Sequence, residues 1–440
     1  FLLHVWMGAF GWEPVPVRLL SALLGVGGVA LTYVLGRDLF NPRAGLVAAL
    51  LVAVSAFHLY YSQEARSYAL LFTAAVAATH AYWLLFHTEG RRGAKLAYYV
   101  AAATAVLYAH YTGVFVVAAH ALHRIVALAA RPDRQALRLW LAAQAAVALL
   151  YLPWFLVLLK QAGRLQGNFW ISEPTLEMVG GPPDFSVQGT LHQFIGGEAR
   201  AWALWLLVAN ALVPSALAGL NRERTAQDDP HKPYPAAQVG LLVAWLLCSL
   251  LLPFFQSLVS QPIYLSRITI PALAPLMLLA GVGVARLRRV PVQAVAAALL
   301  VALAVPSLHA YHTSDAKERW DQALGTVGAE AAPNATVVLP SNTLTLQRIY
   351  APRADLRIVP FGPAQETAAQ ARGATDVWMA GRQAPPCGQP NELAAALGVG
   401  RTLASCKMFM PEGLADFPLA ANPVYLWHFT GCAGPCAAPR

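Results

Sequence analysis

His58, Tyr60, Tyr61, Gln63, Glu64, Arg66 and Tyr68 crowd into one short stretch of the chain. These side chains can handle an anionic, sugar-like ligand. Arg66 offers a planar fork of donors matched to phosphate oxygens. Glu64 and His58 can hold or move a proton. The tyrosine rings offer flat faces to a sugar or to the first units of an isoprenoid. Arg18, His110, Tyr111, Lys160 and Arg267 stand at the ends of other apolar segments, where they could join the same site. The combined site would be cationic and would suit a phosphorylated headgroup on a lipid tail. The competing reading is structural: Arg, Lys and Tyr at helix ends anchor bundles among headgroups, and His58 and His110 can serve as hydrogen-bonded packing residues.

The elements that position these residues are membrane-spanning helices. Hydrophobic residues make up 57% of the 440-residue chain and charged residues only 12%, about half the share in ordinary soluble domains. The apolar residues lie in nearly charge-free runs such as 69–86, 141–159 and 239–255, without the polar face of a soluble amphipathic helix. About ten spans are expected, near 17–36, 44–61, 68–87, 96–109, 112–128, 139–157, 200–219, 239–257, 268–285 and 291–308.

Charge orients them. One set of alternate loops holds fifteen basic residues: Arg37, Arg43, Arg91, Arg92, Lys95, Arg124, Arg131, Arg134, Arg138, Arg222, Arg224, Lys232, Arg286, Arg288 and Arg289. The other set holds only Arg66, Lys160, Arg164, Arg200 and Arg267. Basic loops stay in the cytoplasm, so the cluster around Arg66 and everything after Leu308 should lie on the opposite side of a plasma (inner) membrane. The net charge of +9 thus reflects topology; without a basic stripe interleaved with aromatics, nucleic acid is not an expected partner.

Two domains follow: a transmembrane domain over 1–308, including an outer loop at 158–199 with Trp170 near headgroup level, and an extracytoplasmic domain over 309–440. In the latter, a helix near 317–324, β-like runs at 336–339, 356–360, 375–380 and 424–429, and helical stretches at 364–372 and 391–397 predict a small α/β domain with a mostly parallel sheet. Cys387, Cys406, Cys432 and Cys436 lie there, and Cys387–Cys406 and Cys432–Cys436 are the candidate bridges. No paired CxxC exists, so a zinc site is not expected, and Cys248 reads as a packing residue within a span. Asn334-Ala-Thr336 fits a glycosylation sequon, a pattern common by chance.

Span interiors nearly free of Asp, Glu, Lys and Arg argue against an ion or proton pathway. The residues themselves resemble a known group. Ser55-Ala-Phe-His-Leu-Tyr-Tyr-Ser-Gln-Glu-Ala-Arg-Ser-Tyr-Ala-Leu-Leu is similar to the signature of bacterial family 39-like glycosyltransferases of the membrane-embedded GT-C class. That group takes in protein O-mannosyltransferases, aminoarabinose transferases and a galacturonosyltransferase-like branch. Leu3-His-Val-Trp-Met, Val17-Arg-Leu-Leu-Ser, Leu35-Gly-Arg-Asp-Leu-Phe, Leu107-Tyr-Ala-His-Tyr-Thr and Leu152-Pro-Trp agree in order, and the likeness runs over roughly residues 1–325.

The resemblance implies an enzyme with a GT-C-like helical bundle. It would transfer a sugar by inverting displacement from a polyprenyl-phosphate donor to a lipid, glycan or protein acceptor at the outer membrane face. Arg66, Arg18 and Arg267 would hold the donor phosphate. Glu64, His58, Tyr61, Gln63, His110, Tyr111 and Lys160 would shape the pocket. No cofactor is required, no metal ligand set is identified, and a divalent cation is not indicated. The family's catalytic Asp belongs to an acidic loop that would precede Phe1, so it is expected upstream and its role is not given to Glu64. Relatives often carry Asp near the position of Tyr68. The rival functions are a transporter or flippase of lipid-linked saccharides, which should show internal repeats with matched broken helices, and an inactive scaffold in envelope assembly.

Overall fold

A computed structural model describes residues 2–162, 171, 173–180, 189–196, 198–220, 236–313, 318–382, 384–410 and 423–431. The chain divides into two compact units, Phe1–Leu308 and His309–Arg440.

The first unit is helical. It begins with α1 (Leu2–Phe10), α2 (Pro14–Leu39), α3 (Pro42–Ala53), α4 (Ala56–Ser62), α5 (Tyr68–His87) and α6 (Arg92–Ala109). A 3-10 turn at Tyr111–Gly113 leads into α7 (Val114–Ala130). Then come α8 (Arg134–Ala162), α9 (Glu177–Gly180), α10 (Thr190–Ile195), α11 (Glu198–Leu220) and α12 (Ala236–Val259). A second 3-10 segment, Ser266–Ala272, runs into α13 (Leu273–Ala285), followed by α14 (Val290–Ala302) and α15 (Val305–Thr313).

Seven of the expected spans fall on segments long and apolar enough to cross a bilayer: Pro14–Leu39, Tyr68–His87, Tyr111–Ala130, Arg134–Gln161, Ala236–Val259, Ser266–Ala285 and Val290–Thr313. The other three differ. The span expected at 44–61 is broken into α3 and α4, bent by 66°. Ser55 causes the break: it leaves helical geometry, and its Oγ accepts the His58 N–H at 3.4 Å as the cap of α4. The segment at 96–109 lies in α6, whose first turns carry Arg92 and Lys95, and that at 200–219 has only a short apolar stretch, Arg200–Ala216.

Small residues let the helices approach. Gly36 of α2 and Gly45 of α3 face each other, and a Cβ on Gly36 would meet the Gly45 Cα at 2.6 Å. α13 is apolar on every side, and all of its residues are buried, packed by α3, α11 and α12. By contrast, α8 and α14 keep most of their surface outward. Asp38, from the Gly-Arg-Asp motif, ties α2 to α5 by accepting from His80 Nε2 at 2.9 Å and from Arg37 Nε at 2.7 Å.

The second unit contains α16 (Trp320–Glu330), β1 (Thr336–Leu339), α17 (Leu344–Tyr350), β2 (Arg357–Pro360), α18 (Ala364–Gln370), β3 (Asp376–Gly381), α19 (Glu392–Gly398), β4 (Arg401–Phe409) and β5 (Val424–Gly431). The sheet order is β2-β1-β3-β5-β4. Alternation along the strands builds two cores. Val337, Leu339, Trp378 and Leu426 join Trp320 and Leu324 on one face, while Val338, Val377, Met379 and Trp427 join Leu393 and Leu397 on the other.

Two expectations are corrected here. The sheet is mixed rather than mostly parallel: β2, β1 and β3 run parallel, but β5 pairs antiparallel with both β3 and β4. Strand β4 is not expected from the sequence, because Arg401, Thr402, Ser405 and Lys407 interrupt its apolar residues and it is half exposed, as suits an edge strand. Of the candidate bridges, Cys387–Cys406 is formed, with Cα atoms 5.6 Å apart, and fastens the approach to α19 onto β4. Cys432 and Cys436 lie outside the described residues, as does Trp170 with most of the 158–199 loop.

Candidate functional site

The site forms where α4 ends, where α6 gives way to α7, and where Ser266–Ala272 enters α13. α4 turns out of helix at Gln63, and the chain crosses to α5 through Glu64 and Arg66. The Arg66 amide donates to the Glu64 carbonyl at 2.8 Å, and Arg66 Nε lies 3.9 Å from Glu64 Oε2. The Arg66 side chain is 48% exposed, so this pair is solvated and its guanidinium is accessible.

Behind it stands an aromatic wall. Tyr61 is buried and meets Phe57, Tyr60 and Tyr68 edge-on, with centroids at 4.8, 5.1 and 5.0 Å. Tyr68 reaches His110 at 6.0 Å, and His110 reaches Tyr111 at 4.4 Å. Arg267 arrives on the Ser266–Ala272 segment, joined to the His110 turn by Thr112 Oγ1 donating to Ile268 O at 3.4 Å, and acts electrostatically on Tyr61, His110 and Tyr111. Its position follows from local bonds. Ser257 Oγ accepts the amides of Ile263 and Tyr264 at 2.9 and 3.0 Å, and Tyr264 donates to Thr190 Oγ1 at 3.1 Å. Thr190 in turn bonds Ser266 Oγ at 3.3 Å, next to Arg267.

His110 is set by Thr112. The Thr112 amide donates to His110 Nδ1 at 3.3 Å, so the neutral ring carries its proton on Nε2. Burial, with help from Arg267, pulls its pKa down from 6.5 to about 4.

Not every predicted residue takes part. His58 is only 3% exposed; its ring lies edge-on to Phe72 at 4.8 Å, and neither ring nitrogen has a partner among the described residues. It packs with Ser62 against the notch at Gly25, where an added Cβ would meet the Ser62 Cβ at 2.7 Å. His58 therefore supports the cluster from behind rather than lining it. Arg18 is exposed on α2, on the same helical stripe as Ser21 and Gly25 and about two turns from the latter. Lys160 is exposed on the last turn of α8, which packs along α6; the described contacts do not join it to the cluster. Gln63 is exposed at the end of α4.

One residue was missed. Arg200, counted in sequence only as a loop charge, is 1% exposed; its Nη1 donates to Ile195 O at 2.7 Å while Nε and Nη2 have no partners among the described residues. Its setting joins the site through α10, where Ser55 Oγ donates to Phe194 O at 3.3 Å and Phe57 meets Phe194 at 4.9 Å. Only its place just inside a new apolar run could have signalled it.

Residues 1–158 match the family Dolichyl-phosphate-mannose-protein mannosyltransferase. That stretch carries α1 to α7 and the whole Ser55–Leu71 signature. In structure the chain is similar to ArnT from Cupriavidus metallidurans bound to undecaprenyl phosphate, with TM-score 0.51 and 14% identity over 100% of this chain and 88% of that one. It is also similar to the oligosaccharyltransferase of Archaeoglobus fulgidus in the apo form, with TM-score 0.51 and 13% identity over 100% of this chain and 66% of that one. The fold is that of the GT-C glycosyltransferases. No curated protein matches the chain significantly.

In the helical unit the predicted residues that come together are Glu64, Arg66, Tyr61, His110, Tyr111 and Arg267. Two cations and a carboxylate at the mouth of an aromatic wall can hold a phosphate and present a sugar. Among the described residues no group of three His, Cys, Asp or Glu side chains could hold a metal ion.

Proposed function

We propose that this GT-C protein transfers a sugar from a polyprenyl-phosphate-linked donor to an acceptor hydroxyl at the non-cytoplasmic face of the membrane. The observation that carries the reading is the convergence of Arg267 on the Tyr61–Tyr68–His110–Tyr111 wall beside the Glu64–Arg66 pair. It occurs in a fold similar to that of ArnT solved with undecaprenyl phosphate. In the reaction the acceptor oxygen attacks the anomeric carbon from the face opposite the phosphate. The carbon–oxygen bond to phosphate breaks, the anomeric configuration inverts, and the acceptor's proton passes to a carboxylate. Arg66 and Arg267 stabilise the charge growing on the departing lipid phosphate. Phosphate leaves readily, so the displacement calls for no nucleotide or cofactor. The loop charges and the Cys387–Cys406 bridge support the outward placement.

The test uses the full-length protein in membranes with a radiolabelled polyprenyl-phosphate sugar. Arg66→Ala and Arg267→Ala should each lower transfer about a hundredfold or more while insertion is unchanged. Unchanged turnover in both variants removes the cluster from the reaction.

A further inference from the structure

The end of the helical unit that carries the basic loops holds a second polar cluster, on the order of 25 Å along α5 from the first. Arg124, counted in sequence among the loop charges, lies inside α7 and is 6% exposed. Its guanidinium sits 3.9 Å over the Phe86 ring and 5.6 Å from that of Tyr82. Nε and Nη2 have no hydrogen-bond partner among the described residues. Those two nitrogens share one edge of the planar group, the edge that grips an oxyanion with two parallel bonds.

The neighbours cannot fill that edge. His123 is committed at both nitrogens: Nδ1 takes the Tyr82 hydroxyl at 2.8 Å and Nε2 donates to Ala237 O at 2.9 Å. His120 lies between Thr79 at 3.0 Å and Tyr99 at 3.5 Å, its ring stacked on Tyr82. His87 is stacked on Trp83, and its Nδ1 has no partner among the described residues. Among the described residues no carboxylate pairs with Arg124. A cation in a membrane-spanning helix without a counter-charge is costly, and the geometry asks for an anion.

We propose that Arg124, flanked by His87 and Phe86, binds a phosphate group, carried by an anionic membrane lipid of the leaflet next to the basic loops. Two observations favour a lipid source. Leu122, Ile125 and Val126 of the same helix are exposed and offer an apolar wall for acyl chains. The flanking Lys95, Arg131 and Arg134 would draw anionic headgroups to this end. The site is distinct from the Arg66–Arg267 cluster and does not depend on the transfer reaction.

The full chain is placed in phosphatidylcholine nanodiscs doped with phosphatidylglycerol. Retained lipid is counted by native mass spectrometry, and thermal unfolding is followed in parallel. The wild type should retain phosphatidylglycerol and unfold at higher temperature than in phosphatidylcholine alone. Arg124→Gln should weaken retention about tenfold or more, and Arg124→Lys, which keeps the charge but loses the two-donor edge, should weaken it severalfold. Arg91→Gln, a loop control, should leave it unchanged. Stabilisation by inorganic phosphate instead, abolished in Arg124→Gln, keeps the phosphate site and assigns it a soluble ligand. The proposal is overturned if neither phosphatidylglycerol nor phosphate stabilises the wild type, or if Arg91→Gln loses as much lipid as Arg124→Gln. Should Arg124→Gln fail to insert, the wild-type comparison and Arg124→Lys still decide.

Discussion

His110 shows how one side chain is tuned by its setting. Its imidazole is buried beside Arg267, and both effects disfavour the charged ring, whose pKa falls from 6.5 to about 4. In the unfolded chain the ring gains its proton first as pH drops. Its contribution to stability is therefore complete above about 6.5 and declines as pH falls from there toward 4. Across pH 7 to 8 the ring stays neutral and acts as a hydrogen-bond donor through Nε2. His110→Asn should accordingly lower transfer without moving the shape of the pH–rate profile, measured with the same radiolabelled donor. Loss of an inflection near neutral pH in that variant would show that the ring titrates during turnover. The Glu64–Arg66 knot and Arg267 were legible in the sequence because polar residues at the ends of apolar runs stand out. Arg124 and Arg200 were not. A charge near the end of a hydrophobic run reads as part of a loop, and nothing local says that a helix continues past it and buries it.

At the level of elements, long uniform runs were the legible part: α5, α12 and the stretch leading through α13 fall where apolar length alone put them. The break between α3 and α4 was hidden, since Ser55 is tolerated inside a helix as readily as it caps one, and only its acceptance of the His58 N–H at 3.4 Å reveals which role it plays. β4 was hidden for the opposite reason, as an edge strand needs little apolar character. That strand is held by the Cys387–Cys406 bridge across a separation of 19 residues. Replacing both cysteines by serine should cost the second unit about 3 kcal/mol on the loop-closure scale. The measurement is protease resistance of that unit in the full chain against temperature. An unshifted midpoint would mean that the sheet pairing alone secures the edge.

For the whole molecule the proposed topology makes the sharpest demand. A cysteine placed at Arg66 should react with a membrane-impermeant maleimide in intact cells. One placed at Arg91 should react only after permeabilisation, because the basic loops are assigned to the other side. Cys248 is buried in α12 and should stay silent in both cases. Labelling of Arg91→Cys before Arg66→Cys would invert the scheme and with it the compartment of the reaction.

The burial of α13 bears on assembly. Every residue of this helix is buried, packed mainly by α3, α11 and α12, all of which are synthesised before it. A nascent chain that stops short of Ser266 therefore leaves an empty slot lined with side chains cut to fit a helix, among them Ala44 and Ala48 opposite Gly281. Lipid tails fill such a slot poorly. The earlier helices can be inserted one by one, but the bundle becomes a finished object only late in translation, and membrane proteases have that interval in which to tell incomplete chains from complete ones.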